Sequence, residues 1–348
     1  MTRYEQVQNE LRLRPRTWLV TGAAGFIGSH LVQTLLGLGQ HVVGMDNFAT
    51  GYRHNLDEAA GDAHARLRFV EADIRDLDAC TELCRGVDHV LHHAALGSVP
   101  RSIDDPLGVH EVNVDGTLNL FAAAREAGVR RIVYASSSAV YGDCDAVPAR
   151  EAVTGASLSP YASTKRINEE YAAVFARAYG VESVGLRYFN VFGPRQDPRG
   201  AYAAVIPLWA RELIEGRPCV INGDGATTRD FTWVGSVAQA NLLAAVTPTD
   251  RPKARVYNVG SGRSVTLGEL HGAMADALAR TGRDAEPPLH GAFRDGDVRH
   301  SRADVTRIAA ELGYQPEPGF ERCMDATLAW YLGRLRPHAV HVPREHAA

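Results

Sequence analysis

Short apolar runs near residues 17–20, 41–45, 67–70, 87–92, 131–135 and 183–188 alternate with longer stretches in which apolar positions recur every three or four residues. The short runs predict buried strands and the longer stretches, such as 30–36, 77–84, 106–127 and the one carrying Tyr161, predict helices. Strand and helix in strict alternation predict an α/β fold with a doubly wound, Rossmann-like parallel sheet. After Tyr188 the rhythm breaks at Arg187-Tyr188-Phe189-Asn190-Val191-Phe192-Gly193-Pro194-Arg195, and a polar stretch with Pro and Gly follows. A helix is then expected near 204–215, short strands around Val220 and Phe231, a helix near 237–245 and a strand near 256–259. Some of these should rejoin the first sheet, so the expected domains are discontinuous. Residues 15–188 plus about 231–260 form the larger one, and 189–230 plus about 261–335 form a smaller α/β domain for a substrate. Residues 1–14 read as a charged, helix-prone extension and 336–348 as a frayed tail rich in Pro and His.

The turn between the first strand and the first helix reads Thr21-Gly22-Ala23-Ala24-Gly25-Phe26-Ile27-Gly28. Glycines there let the backbone turn tightly and approach a pyrophosphate, whose charge is stabilised by N–H groups at the helix start. The spacing is one residue longer between the first two glycines than in the usual dinucleotide fingerprint, and flexible turns are also glycine-rich. The second strand ends in Asp46, where a carboxylate can accept hydrogen bonds from ribose hydroxyls and repel a 2′-phosphate, which favours NAD over NADP. Arg53 is the nearest downstream cation, while Asn47 and Phe48 offer no phosphate clamp. Asp73 and Ile74 are expected at the adenine, and Ala94-Ala95 would let the backbone approach the dinucleotide or would simply pack tightly.

Candidate chemistry sits downstream in Tyr161-Ala-Ser-Thr-Lys165. Four residues apart on a helix, the ammonium can lie near the phenol and favour its ionised form, making a base from a group whose ordinary pKa is about 10. Ser136, Ser137 and Ser138 end the strand before that helix, so a hydroxyl there could bond the substrate oxygen that Tyr161 deprotonates. A solvated Tyr-x-x-x-Lys pair is the plain alternative, which the loop and serines together make less apt.

Composition narrows the setting. With 37 basic and 41 acidic residues the chain carries a small negative charge, which does not suggest nucleic acid. No apolar run spans a bilayer and the start lacks a signal peptide's apolar core, so a cytoplasmic protein is expected. Five scattered cysteines lack the paired spacing of a zinc site; Cys80 and Cys84 could share a helix face, but idle thiols and no metal are the expectation. His92 and His93 end a strand near the groove, where hydrogen bonding or packing is expected of them.

With the loop, the serines, Tyr161-x-x-x-Lys165 and Arg187-Tyr188-Phe189-Asn190, the chain resembles extended short-chain dehydrogenase/reductases, and more narrowly bacterial UDP-N-acetylglucosamine 4-epimerases. Leu96-Gly97-Ser98-Val99-Pro100-Arg101-Ser102, Asn222-Gly223-Asp224-Gly225 and Gly296-Asp297-Val298-Arg299-His300-Ser301 carry the narrower likeness. The resemblance implies bound NAD, a UDP-sugar substrate and a homodimer joined by two helices from each subunit. It puts Ser137, Tyr161 and Lys165 in catalysis, and Gly22, Gly25, Phe26, Ile27, Gly28, Asp46, Asn47, Asp73, Ile74, Ala94, Ala95 and Tyr188 with Tyr161 and Lys165 at the cofactor. Ser98, Ser137, Ser138, Asn190, Arg229, Arg294, Asp297 and Ser301 fall at the nucleotide sugar. Related dehydratases and decarboxylases carry acidic residues after the serine/threonine position, where this chain has Ser138 and Ala139. Ser301 resembles a position where tyrosine restricts the pocket to unacetylated hexoses, and a serine leaves room for an acetamido group; capping the next helix is its other reading. C4 epimerisation is therefore expected, with a UDP-N-acetylhexosaminuronic acid or UDP-glucose as alternative substrates. A non-catalytic sensor and an enzyme releasing NADH are competing classes.

Overall fold

The computed structural model describes residues 1–200, 203–248, 253–293 and 298–335. Seven strands, β1 (Thr17–Thr21), β2 (His41–Asp46), β3 (Leu67–Glu71), β4 (His89–His92), β5 (Arg131–Ser137), β6 (Ser183–Tyr188) and, later in the chain, β11 (Ala254–Val259), form one sheet. Its order is β11-β6-β5-β4-β1-β2-β3 and every pairing is parallel, with Leu19 level with Val43 on one side and Val90 on the other. Strand order reverses between β1 and β4, so a ligand crevice opens beyond their carboxyl ends. Both faces are covered, which explains why these strands read as continuous apolar runs.

On one face pack α1 (Arg3–Leu13), α2 (Phe26–Gly37), α3 (Arg53–Ala60) and α10 (Val234–Val246), around Leu31, Leu35, Val237 and Leu243. On the other lie α4 (Leu77–Cys84), α7 (Gly116–Glu126) and α8 (Pro160–Tyr179), around Phe121, Tyr134 and Phe175. The extension is more than a charged appendage. Thr2 and Glu5 form a capping box, Val7 and Leu11 are fully buried, and Gln40 donates to the Leu11 carbonyl at 2.8 Å.

The run expected as one helix over 106–127 is interrupted. It follows α5 (Val99–Asp104) as α6 (Pro106–His110), a widened π turn at Glu111–Asp115 and then α7. Within that turn Asn113 faces inward, donating to Thr164 Oγ1 at 3.2 Å and accepting from the Leu96 nitrogen at 2.8 Å. Such turns often mark functional sites.

The second core gathers Trp209, Leu213, Met274, Met324 and Tyr331 from α9 (Val205–Ile214), α11 (Leu267–Ala279) and α13 (Phe320–Arg334). Three small sheets pair β10 (Thr232–Trp233) with β7 (Val191–Phe192), β12 (Val265–Thr266) with β9 (Thr228–Arg229), and β13 (Leu289–Gly291) with β8 (Val220–Asn222). Phe231 belongs to this core, whereas Ile308 and Leu312 of α12 (Thr306–Leu312) and the following Tyr314 return to the first. The chain thus crosses between cores more often than the apolar pattern predicts. Among the described residues, no helix is long and apolar enough to cross a membrane.

Candidate active site

The loop between β1 and α2 is shaped by close approach. Gly22 holds φ at +68°, and a Cβ there would stand 2.7 Å from the Ala94 nitrogen. At Gly28 a Cβ would fall 1.9 Å from the Gly22 carbonyl oxygen, so the first turn of α2 reaches the loop only because the residue is glycine. Gly25 precedes α2 without a side-chain cap. The first N–H groups of the helix, those of Phe26 and Ile27 among them, therefore suit a pyrophosphate.

Asp46 is buried at the end of β2 and accepts from the Ala24 and Phe48 nitrogens at 2.9 and 2.8 Å. Burial pushes its pKa up, and these backbone donors pull it back. Asn47 donates to Asp73 at 2.8 Å, and hydrogen bonding from Arg75, the largest influence, holds the Asp73 carboxyl at about 2. Gly22, Gly25, Asp46, Asn47, Asp73, Ile74, Ala94 and Ala95 line one groove. Arg53 stacks 4.6 Å over the Phe48 ring and pairs with Glu71 at 3.5 Å. Its charge is engaged away from a phosphate clamp. The glycine cradle and the carboxylate at the ribose position together fit NAD.

Ser159 caps α8 by accepting from the Ala162 nitrogen at 3.1 Å, Pro160 opens it, and Gly180 ends it in the left-handed conformation. Tyr161 is thereby fixed in the first turn and Lys165 one turn on. Lys165 is buried, donates to the Ala135 carbonyl at 3.0 Å and stands 5.8 Å from the centre of the Tyr161 ring. Burial lowers its pKa to about 8. The Tyr161 phenol bonds to Ser137, which draws its pKa down, yet its low-polarity surroundings weigh more and the net shift is upward. In the ligand-free protein the phenol is thus harder to ionise than usual, opposite to the expectation from the lysine spacing. Desolvation outweighs the bond with Ser137, and the Lys165 ammonium is directed to the Ala135 carbonyl.

Ser137 ends β5 and accepts from the Ala139 nitrogen at 3.1 Å, starting a 3₁₀ turn, Ser138–Tyr141. Ser137, Ser138, Tyr161, Asn190, Arg229 and Ser301 meet around a second, open cavity. None of the described residues lining it is an Asp or Glu. Asn190 Nδ2 lies 3.5 Å from the Asp230 carbonyl, Arg229 Nη1 donates to the Thr228 carbonyl at 2.9 Å, and the Ser301 nitrogen donates to the same carbonyl at 3.2 Å. Ser301 does not cap the next helix, since α12 begins five residues later with Val305 at its cap.

Two residues expected at the ligands have partners within the fold. Ser98 caps α5 through the Arg101 nitrogen at 3.2 Å, and its neighbours Val99 and Pro100 line the cavity. The Tyr188 hydroxyl meets His93 Nε2 at 2.8 Å and accepts from Asn241 at 2.9 Å, and the residue lines neither space. Arg294 and Asp297 lie outside the described residues.

His92 and His93 are hydrogen-bonded within the fold. His92 bonds Thr21 at 2.7 Å and Thr117 at 2.9 Å, and burial keeps both rings neutral, His93 at about 3. Cys80 and Cys84 are buried thiols pushed up to about 12. Among the described residues no group of His, Cys, Asp or Glu could hold a metal ion.

Several supporting residues escaped the sequence reading. Thr21 Oγ1 accepts from the His93 and Ala94 nitrogens, both at 3.2 Å, and so shapes the groove floor. Glu169, one turn beyond Lys165, accepts from Ser136 at 2.6 Å and from Arg187 at 2.9 and 2.7 Å, tying α8 to β5 and β6 beneath the catalytic residues. An acid four residues after Lys165 and an arginine within an apolar strand were the available signals.

Residues 18–260 match the NAD dependent epimerase/dehydratase family. Over 315 residues, 90% of this chain and 97% of the relative, the sequence is 40% identical to a UDP-glucose 4-epimerase of Mycolicibacterium smegmatis. A solved UDP-N-acetylglucosamine 4-epimerase from Methanobrevibacter ruminantium M1, in complex with UDP-N-acetylmuramic acid, matches with a TM-score of 0.85 at 36% identity, covering 92% of this chain and 99% of that one. A dTDP-glucose 4,6-dehydratase from Streptomyces venezuelae, solved with NAD, matches with a TM-score of 0.82 at 35% identity, covering 91% and 97%. Together with a groove that fits the dinucleotide, these likenesses show that the chain belongs to the NAD dependent epimerase/dehydratase family and that NAD is its cofactor.

Proposed function

We propose that this NAD-dependent nucleotide-sugar 4-epimerase interconverts UDP-N-acetylglucosamine and UDP-N-acetylgalactosamine. The observation that carries the reading is the meeting of Ser137 and Tyr161 on one wall of a cavity whose described lining holds no carboxyl group. Dehydration of a sugar needs a further acid or base, and Ser138 and Ala139, which follow Ser137, supply neither. A dinucleotide held by the Gly22–Gly28 loop and Asp46 would supply the hydride acceptor and donor that inversion at C4 requires.

In that setting Tyr161 removes the proton of the 4-hydroxyl, while Ser137 bonds the same oxygen and Lys165 stabilises the phenolate. Arg229 and Asn190 hold the nucleotide end, with Arg294 assigned there by resemblance, so the 4-keto ring turns about an anchored diphosphate. Tyr161 then returns its proton. Ser301 leaves space for a 2-acetamido group where a larger side chain would fill the cavity.

A plain hexose is the second reading, favoured by the relative from Mycolicibacterium smegmatis. Separate incubations with UDP-N-acetylglucosamine and UDP-glucose, followed by proton NMR, decide between them. A higher kcat/KM for the acetylated sugar is expected; an equal or reversed preference rejects it.

The same reading includes a cytoplasmic homodimer. Ile103, Leu107 and Val174 are exposed on α5, α6 and α8, which pack against one another, and a second copy would cover these apolar side chains. The five cysteines are unpaired thiols, in keeping with a reducing compartment. Light scattering should give twice the chain mass, and a monomer at micromolar concentration would remove the dimer.

A further inference from the structure

Among the described residues lining the cavity that holds Tyr161, one arginine is left unused by the proposed chemistry. Arg229, His300 and Arg302 line it, without any Asp or Glu among the described lining. Arg302 is half-buried, and among the described residues its guanidinium has no ion pair and no hydrogen bond. The nearest acid in sequence, Asp304, is taken by Arg150 at 3.2 Å and by the Thr306 nitrogen at 3.0 Å.

The backbone around Arg302 is nevertheless fixed. Its carbonyl accepts from the Ala149 nitrogen at 2.8 Å, the Ser301 nitrogen donates to Thr228, and the Ala303 nitrogen donates to Asp230 at 3.0 Å. Ala149 and Ala303 pack in one cluster with Tyr141 and Phe189, and Tyr141 closes the turn that Ser137 begins. Arg302 therefore belongs to the wall carrying the reacting groups. Arg229 sits on β9 next to Asp230, whose carbonyl Asn190 Nδ2 approaches at 3.5 Å, and the proposed function already gives this pair the diphosphate. A guanidinium partly withdrawn from water and, among the described residues, without a counter-ion is a site where an anionic ligand gains from supplying one.

We propose that Arg302 reads a carboxylate borne by the sugar ring, so that acidic UDP-N-acetylhexosamines are preferred ligands of this cavity. The inference rests on the epimerase reading and deepens its substrate class. A C6 carboxylate and a lactyl carboxylate at O3 present the same planar acceptor to the guanidinium fork. Experiment separates them.

The test compares wild type with Arg302→Gln and Arg302→Lys. Turnover is followed by NMR and binding by calorimetry for UDP, UDP-N-acetylglucosamine, its C6 uronic acid and UDP-N-acetylmuramic acid. Wild type should favour at least one acid over the neutral sugar. Arg302→Gln should lower that acid-to-neutral ratio roughly tenfold to hundredfold, as for loss of a charge-assisted hydrogen bond. Arg302→Lys should restore part of it, and the acid that suffers identifies where the carboxylate sits. A ratio that does not move overturns the inference. So does an equal loss for UDP and every sugar, which would put Arg302 on the diphosphate. Failure of wild type to invert any sugar sinks the epimerase reading instead, while the binding ratios still test Arg302.

Discussion

The nucleotide groove and the sugar cavity are built from different distances along the chain. The groove takes its lining from Gly22 to Val112, mostly from the ends of adjacent strands, and its shape is a backbone property: glycines at Gly22 and Gly28 and N–H groups turned on Asp46. The cavity joins Ser137 and Tyr161 to Asn190, Arg229 and Ser301, brought from much later in the chain. Its chemistry lies in side chains whose partners are far away in sequence. A damaged groove should therefore lose NAD and spare the binding of UDP, while a damaged cavity should do the reverse.

The largest expected effect strikes the cavity wall. Tyr161→Phe should cut turnover by roughly 10³-fold, within the range for a lost general acid–base. NAD titration should remain close to wild type, and robust residual turnover would break the assignment. Next comes Gly28→Ala, whose Cβ collides with the Gly22 carbonyl at 1.9 Å. Overpacking of this kind costs about 1–3 kcal/mol. Calorimetry should show NAD affinity lost and UDP affinity kept; a parallel loss of both would erase the distinction between the regions.

Lys165→Met opposes stability to activity. The folded pKa of Lys165, about 8, lies below its unfolded value near 10.4, so the unfolded chain binds more protons between those pH values and stability rises across them. Below pH 8 the buried charge is a burden of up to about 3 kcal/mol, offset in part by the bond to Ala135. The variant should be inactive yet about 1–2 kcal/mol more stable at pH 7. That gain should shrink between pH 8 and 10.4 in denaturant titrations, and a gain that grew with pH would contradict the sign. The smallest effect concerns Ser301→Tyr, which should lower kcat/KM for UDP-N-acetylglucosamine about tenfold relative to UDP-glucose, a change of ~1.4 kcal/mol. Equal losses on both sugars would remove Ser301 as the gate.

Local features were legible in the sequence. The glycine spacing, Asp46 after its strand and Tyr161 one turn before Lys165 are short-range relations, and the structure keeps each where the spacing puts it. Long-range relations were not. Nothing near Tyr188 announces His93 and Asn241 as its partners, and nothing in the motif around Ser98 announces that it caps α5. The docking of α1 through Val7 and Leu11, and the inward turn of Asn113 onto Thr164, depend on surfaces assembled only in three dimensions. The direction of the Tyr161 shift was misread for the same reason. Spacing reports the nearby ammonium but not how much water the fold removes from the phenol.

Epimerisation in D₂O tests the central claim most directly. A hydride that leaves C4 and returns within one closed site never exchanges with solvent. Proton NMR and mass spectrometry of UDP-N-acetylglucosamine after equilibration should show the C4-inverted sugar carrying protium at C4, with no NADH released. Deuterium at C4 or C5, or a 4-keto-6-deoxy product, would contradict the account.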